Sequence, residues 1–228
     1  VVPPDPAAAP VDNDGTLGDI SCVRLRLLLV VLWVVLASVS CRKTAPESPV
    51  HFAREEIAMD VRPGTLEVRG MYHFTCSARE PLVASIFYPF PLDSTHLYPD
   101  SIELRTPTAN RQTADSGVRR SALELRTFVR QDSGVSFRMR FRPSAEDSFF
   151  AYYRQPLKTN SATYIVTTTR KWKRPIDLAQ FRITVPASFK DVRLTFKADS
   201  MVGSGSTVSY FFTRKKFYPD KDITVTWR

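Results

Sequence analysis

From Ile57 to the C-terminus, apolar and polar residues alternate with a period of two and hardly ever with the 3.6-residue period of a helix. Successive side chains of a strand point to opposite faces, so a chain patterned this way folds as sheets with one face buried. In Leu66–Phe74, Leu66, Val68, Tyr72 and Phe74 share one face, while Glu67, Arg69 and His73 share the other. Gly70 falls on the apolar face, which marks a bulge or the close approach of another backbone. Leu82–Tyr88 is a more continuous apolar run, as in a central strand, and Pro89 and Pro91 stop it because neither can donate to a ladder. Further strands are expected at 57–61, 101–106, 122–129, 134–142, 148–154, 162–169, 180–186, 191–197, 207–213 and 222–228. Turn signals separate them at Pro63-Gly64, Asp115-Ser116-Gly117, Asp132-Ser133-Gly134 and Gly203-Ser204-Gly205, the third being the clearest hairpin. Short strands at this spacing predict an all-β chain, an antiparallel β-sandwich over residues 51–228.

Upstream lies a different pattern. Arg24 and Arg26 precede the unbroken apolar run Leu27–Ala37, small residues follow, and Cys41 closes the segment. Charged start, apolar middle and small-residue end are the three parts of a bacterial secretory signal. The eleven-residue run is shorter than the roughly seventeen residues a spanning helix needs. Residues 23–40 are therefore read as a signal peptide, an N-terminal signal or anchor helix. Ser40-Cys41 resembles the end of a lipobox, although Ser38 stands where that motif prefers an aliphatic residue, and lipidation is assigned to Cys41. Simple cleavage and an uncleaved anchor are the alternatives. Residues 1–22, rich in Pro, Asp and Ala, read as a disordered or mis-called upstream extension, and the polar residues 41–50 as a tether. The expected location is the bacterial cell envelope, with the chain exported and membrane-anchored.

The first forty residues hold two arginines and four aspartates, so the overall charge of +9 becomes about +11 in the exported part. That balance favours anionic partners such as phospholipid headgroups or acidic envelope polymers, and an exported protein rarely meets nucleic acid. With Cys41 lipidated, Cys76 is a small buried hydrophobe; with Cys41 free, a Cys41–Cys76 bridge is open.

No nucleophile elbow, zinc-peptidase helix, phosphate loop or calcium loop occurs. Asp93-Ser94-Thr95-His96-Leu97-Tyr98-Pro99-Asp100 brings two carboxylates near an imidazole, but its composition is that of an ordinary loop, and neither metal nor cofactor is expected. The basic residues are more informative. In Phe137–Arg142, Arg138, Arg140 and Arg142 share one strand face, about 7 Å apart, and Phe137, Met139 and Phe141 share the other. Arg170, Lys171, Trp172, Lys173 and Arg174 form a second cluster at a strand end, with an aromatic among four charges, and Arg214-Lys215-Lys216 a third. Guanidinium forks suit phosphate and carboxylate, so these groups are candidates for binding an anionic surface; a merely solvated sheet face is the plainer alternative.

The pattern of Tyr164–Thr169, then Trp172, Pro175-Ile176 and Phe181–Val185, together with Gly70–Phe74 and Tyr88–Pro91, is similar to exported bacterial β-sandwich lipoproteins. It also resembles the N-terminal β-sandwich of gluzincin-type zinc aminopeptidases. Their zinc-binding catalytic helices have no counterpart in this sequence, so the resemblance implies an accessory sandwich without the enzyme. Two functions stand. The first is an envelope-anchored lipoprotein whose domain binds or scaffolds a protein partner or an anionic surface. The second is a secreted hydrolase or carbohydrate-active module, built on His96 with Asp93 or Asp100. Replacing Cys41 by Ala is expected to block processing or release the protein from the membrane fraction, read by fractionation and intact mass.

Overall fold

Pro63-Gly64 reverses the chain between its two longest neighbouring strands, with Gly64 at φ +72°, where a side chain would be strained. The computed structural model describes residues 48–107 and 123–228, and Ser48–Arg228 forms a unit of its own. The expected helix at 23–40, Cys41, most of the tether and the Asp115-Ser116-Gly117 turn lie outside the described residues. The described strands are β1 (Val50–Arg62), β2 (Thr65–Cys76), β3 (Leu82–Pro89), β4 (Ser101–Pro107), β5 (Leu123–Leu125), β6 (Val129–Gln131) and β7 (Gly134–Phe141). After them come β8 (Glu146–Pro156), β9 (Ser161–Tyr164), β10 (Ile176–Pro186), β11 (Arg193–Leu194), β12 (Ser200–Ser204), β13 (Thr207–Phe217) and β14 (Ile223–Thr226). The only helical segment among the described residues is a 3-10 turn, Thr167–Trp172.

Eight strands form one large sheet in the order β12-β13-β10-β1-β2-β8-β4-β5. Two three-stranded sheets, β3-β7-β6 and β11-β14-β9, cover one of its faces. Aromatic contacts fix the layering. Phe141 and Phe137 of β7 meet Phe74 of β2 and Phe149 of β8, while Phe196, beside β11, meets Phe212 and Phe217 of β13. The period-two reading of β2 and β7 appears directly: Leu66, Val68, Tyr72, Phe74, Phe137, Met139 and Phe141 are buried, and Arg69, Arg138 and Arg140 are exposed. Asp132 and Ser133 make the expected tight hairpin between β6 and β7. Gly134 after it leaves no room for a Cβ, which would lie 2.3 Å from the Tyr88 carbonyl oxygen.

All-β architecture is as expected, but the sheet is not wholly antiparallel, since β1 and β10 run parallel from Arg54↔Leu178 to Asp60↔Thr184. Alternation in sequence reports which face a residue takes and carries no information on strand direction; the long excursion through β2–β9 brings β10 back on the free edge of β1. Other departures are local. Residues 122–129 contain β5 and then, after a break, the start of β6, and 191–197 holds only the two-residue β11, while β12 lies where the alternation predicts no strand. The close approach at Gly70 comes from a side chain: a Cβ there would meet the Tyr72 hydroxyl oxygen at 2.3 Å.

Phe141 is fully buried and Arg140 projects into solvent from the preceding position. Phe141→Ala is expected to cost about 3 kcal/mol or more through the cavity it leaves. Arg140→Ala should change stability by no more than about 0.5 kcal/mol. Urea unfolding of both variants checks the pair.

Candidate functional site

Strand β1 pairs with β2 through Phe52↔Phe74 and then through Arg54↔His73, so Ala53 is an extra residue, a β-bulge. Bulges re-aim the side chains that follow them. Before it, Val50 and Phe52 face the core; after it the phase reverses, and Glu55 faces inward in line with Ile57, Met59 and Val61. A carboxyl group thereby enters the apolar interior directly opposite Tyr72, and Glu55 is 1% exposed. Its Oε1 has no hydrogen-bond partner among the described residues. Removal from water penalises the charged form, and the Glu55 pKa is pushed from 4.5 to about 8.

This carboxyl borders a cavity of about 70 Å³ at the seam where the two small sheets meet over the large one. Phe52, Tyr72 and Phe74 contribute from the large sheet, Ile86 and Tyr88 from β3, and Tyr164 from β9. The Tyr72 hydroxyl lies 2.7 Å from that of Tyr88 and 2.8 Å from that of Tyr164, so one oxygen from each sheet meets at the seam. Burial drives the pKa of all three phenols well above its ordinary value, and they stay protonated at neutral pH. The remaining wall is the segment after β9. Asp222 accepts from the backbone N–H groups of Val166 and Thr167, the Thr169 hydroxyl donates to the Val166 carbonyl, and the chain is held in its 3-10 turn. Trp172 thereby packs against Phe52 and Phe74, ring centroids 6.4 and 5.6 Å away.

That turn corrects two expectations. The strand predicted over 162–169 ends at Tyr164, so Arg170–Arg174 leaves a turn rather than a strand, and Trp172 is part of the cavity wall instead of an aromatic standing among exposed charges. Arg170, Lys171 and Lys173 are exposed, with the Arg170 guanidinium over the Tyr218 ring, and Arg174 is half-buried. In the arginine row, Arg142 is engaged by Asp147 at 2.8 Å, whereas no ion pair joins Arg138 or Arg140 to a carboxylate among the described residues. In the third cluster, Arg214 pairs with Asp199 and Lys216 with Asp177. The Cys76 thiol is free and buried.

Of the groups a hydrolase would need, His96 and Asp93 meet, the imidazole Nδ1 lying 3.0 Å from the carboxylate, and Asp100 does not join them. Asp93 accepts hydrogen bonds from the hydroxyl and backbone of Thr95 and from His96, which hold its carboxyl well below the usual range and close a local turn. Asp100 turns away to Arg154, 2.8 Å distant. Among the described residues, no three His, Cys, Asp or Glu side chains are grouped as metal ligands would be. A larger hollow of about 440 Å³ lies on the open face of the eight-stranded sheet, with Ala58, Met71, Phe150 and Phe211 among its lining. Arg69 at its border is held by Asp60 and Glu67.

Glu55 carries no signal of its own in the sequence, where the regular alternation begins at Ile57. Extended two residues back, the phase of Ile57, Met59 and Val61 lands on Glu55; the bulge at Ala53, which has no composition signal, breaks it beyond that point.

No protein-family model matches the sequence, and no curated protein sequence matches it. Among solved structures, the chain is similar to a Legionella pneumophila protein provisionally described as nutrient binding, with a TM-score of 0.53 at 14% identity, over 79% of this chain and 67% of that one. At this identity the likeness is one of fold alone. An M1 zinc metallopeptidase of Deinococcus radiodurans follows, with a TM-score of 0.47 at 13% identity over 78% of this chain; only 42% of the peptidase is spanned.

Between pH 4.5 and about 8, the folded protein keeps a proton on Glu55 that the unfolded chain gives up. Stability from this group is fully present below pH 4.5 and is lost as pH rises to about 8. The slope approaches about 1.4 kcal/mol per pH unit in the middle of that window. Glu55→Gln is expected to flatten that slope and to be the more stable form at pH 8, as measured by denaturant unfolding across the window.

Proposed function

We propose that this chain is a binding domain held at the bacterial cell envelope by a lipid on Cys41, and that it docks on an anionic surface through the outer face of β3-β7-β6. The observation that carries this reading is the company Arg138 and Arg140 keep. Val83 stands opposite Arg140 in the ladder and is 49% exposed, and Val129 of β6, beside Ser136, is 67% exposed. Phe87 adds a partly exposed ring on the same face. Arg126 reaches the Arg138 carbonyl at 3.5 Å, and a groove of about 310 Å³ runs between Phe128-Val129 and Arg138. Arginines with water-exposed apolar neighbours suit the boundary between headgroups and acyl chains, where the guanidinium meets phosphate and the apolar side chains leave water. Each such cation is worth about 1 kcal/mol near an anionic leaflet.

The short polar tether would hold this face close to the membrane that carries the lipid. Acidic envelope polymers and a protein partner with an acidic surface share the required chemistry. Nothing in the arrangement of Arg138 and Arg140 calls for catalysis.

A protein comprising residues 48–228 is expected to co-sediment with vesicles containing phosphatidylglycerol and to be released by about 0.5 M salt, which shortens the screening length several-fold. Vesicles of phosphatidylcholine alone should not retain it. Arg138→Gln with Arg140→Gln should abolish the association while leaving the circular dichroism spectrum unchanged. Equal binding by the double variant, or no binding by the parent at low salt, would leave this face merely solvated.

A further inference from the structure

We propose that the seam cavity is a binding site for the head of a primary ammonium ligand, with the Glu55 carboxylate as counter-ion and the aromatic walls around it as the cage. The inference does not depend on the arginine face. It starts from the unpartnered Oε1 of Glu55, a buried polar atom of a cavity-lining residue that lacks a donor among the described residues. A buried acceptor left unpaired is costly, and such groups mark places where a partner is to be supplied.

The chemistry of the missing partner follows from the lining. Glu55 is the only carboxylic side chain among the described cavity residues, and no Lys, Arg or His joins it there. Its neighbours Arg54 and Glu56 lie on the opposite face of the sheet, where the Arg54 guanidinium meets His73 and Glu146. The hydroxyls of Tyr72, Tyr88 and Tyr164 are bonded to one another. On the 3-10 turn, Arg170, Lys171 and Lys173 are exposed and none lines the cavity. An anion would meet a carboxyl and no cation, and an apolar guest would leave Oε1 unpaired. An ammonium group supplies donors to Oε1 and lies against the electron-rich faces of the rings, an attraction that grows on desolvation.

Size sets the rest. About 70 Å³ accommodates little more than two waters' share of volume, which fits an ammonium head and a short length of aliphatic stem. Ile165, Thr168 and Trp172, half-buried lining residues, stand between the cavity and solvent, so a longer ligand would extend along this segment. In the free protein, burial keeps Glu55 protonated at neutral pH. Entry of the cation favours the ionised carboxyl, so the Glu55 proton passes to solvent as the ammonium–carboxylate pair forms, and charge balances.

The probe is propylammonium chloride, titrated calorimetrically into the full chain in non-ionic detergent at pH 7, in phosphate and in HEPES buffers. Saturable binding is expected, with release of close to one proton for each propylammonium bound. 1-Propanol, of the same size but neutral, should bind at least about tenfold more weakly, and Glu55→Gln should lose affinity to the same extent with no proton release. Absence of saturable binding, binding without proton release, or equal binding of propanol would each overturn the proposal. So would unchanged affinity in a folded Glu55→Gln protein. Should that variant not fold, proton release and the alcohol comparison in the unaltered protein decide the matter.

Discussion

One phenol oxygen holds the three sheets in register with one another. Tyr72 rises from the large sheet and shares hydrogen bonds with Tyr88 of one covering sheet and Tyr164 of the other. Much of the remaining contact between the layers is apolar, which is strong but indifferent to small sliding movements. Hydrogen bonds are directional, and in a buried place their loss is expensive. The ring reaches the seam because Gly70, two residues earlier on the same face, offers no Cβ to block the hydroxyl. A residue that reads in the sequence as a gap in an apolar row is a physical requirement of the polar tie above it.

The bulge at Ala53 has a comparable weight. In an unbroken ladder the inward row that starts with Val50 and Phe52 would continue with Arg54 and Glu56, and two charged residues would enter the core. The extra residue sends Arg54 and Glu56 to the open face, where they meet His73 and Glu146, and admits one carboxyl, Glu55. A single acid in an aromatic surround is a chemical singularity of this interior, and it is reached by changing the backbone, not by relaxing the pattern of side chains.

These two features mark the boundary of what could be read from composition and period. The alternation placed Leu66, Val68, Tyr72, Phe74, Phe137, Met139 and Phe141 inside and Arg138 and Arg140 outside, because facing is a local property of an extended backbone. The direction of β10 beside β1 and the meeting of Tyr72 with Tyr88 and Tyr164 are long-range properties with no local signature. The shortened β9 is intermediate: Tyr164–Thr169 is β-branched enough to continue as strand, but Asp222, far along the chain, captures the backbone donors of Val166 and Thr167. Local propensity lost to a distant carboxylate. Cys41 and the segment before it lie beyond the described residues, and their reading stays with the sequence.

The parallel pairing of β1 with β10 has a consequence for the order of assembly. As the chain emerges N-terminus first, β1 and β2 can zip at once across their two-residue turn, but the other edge of β1 stays without its neighbour until residues 176–186 arrive. Contacts this remote in sequence make folding slow and leave an open strand edge exposed in the meantime. Completion of the large sheet therefore waits on its C-terminal third. A chain cut short before β10 would display a ready-made edge to any other strand nearby, its own copies included.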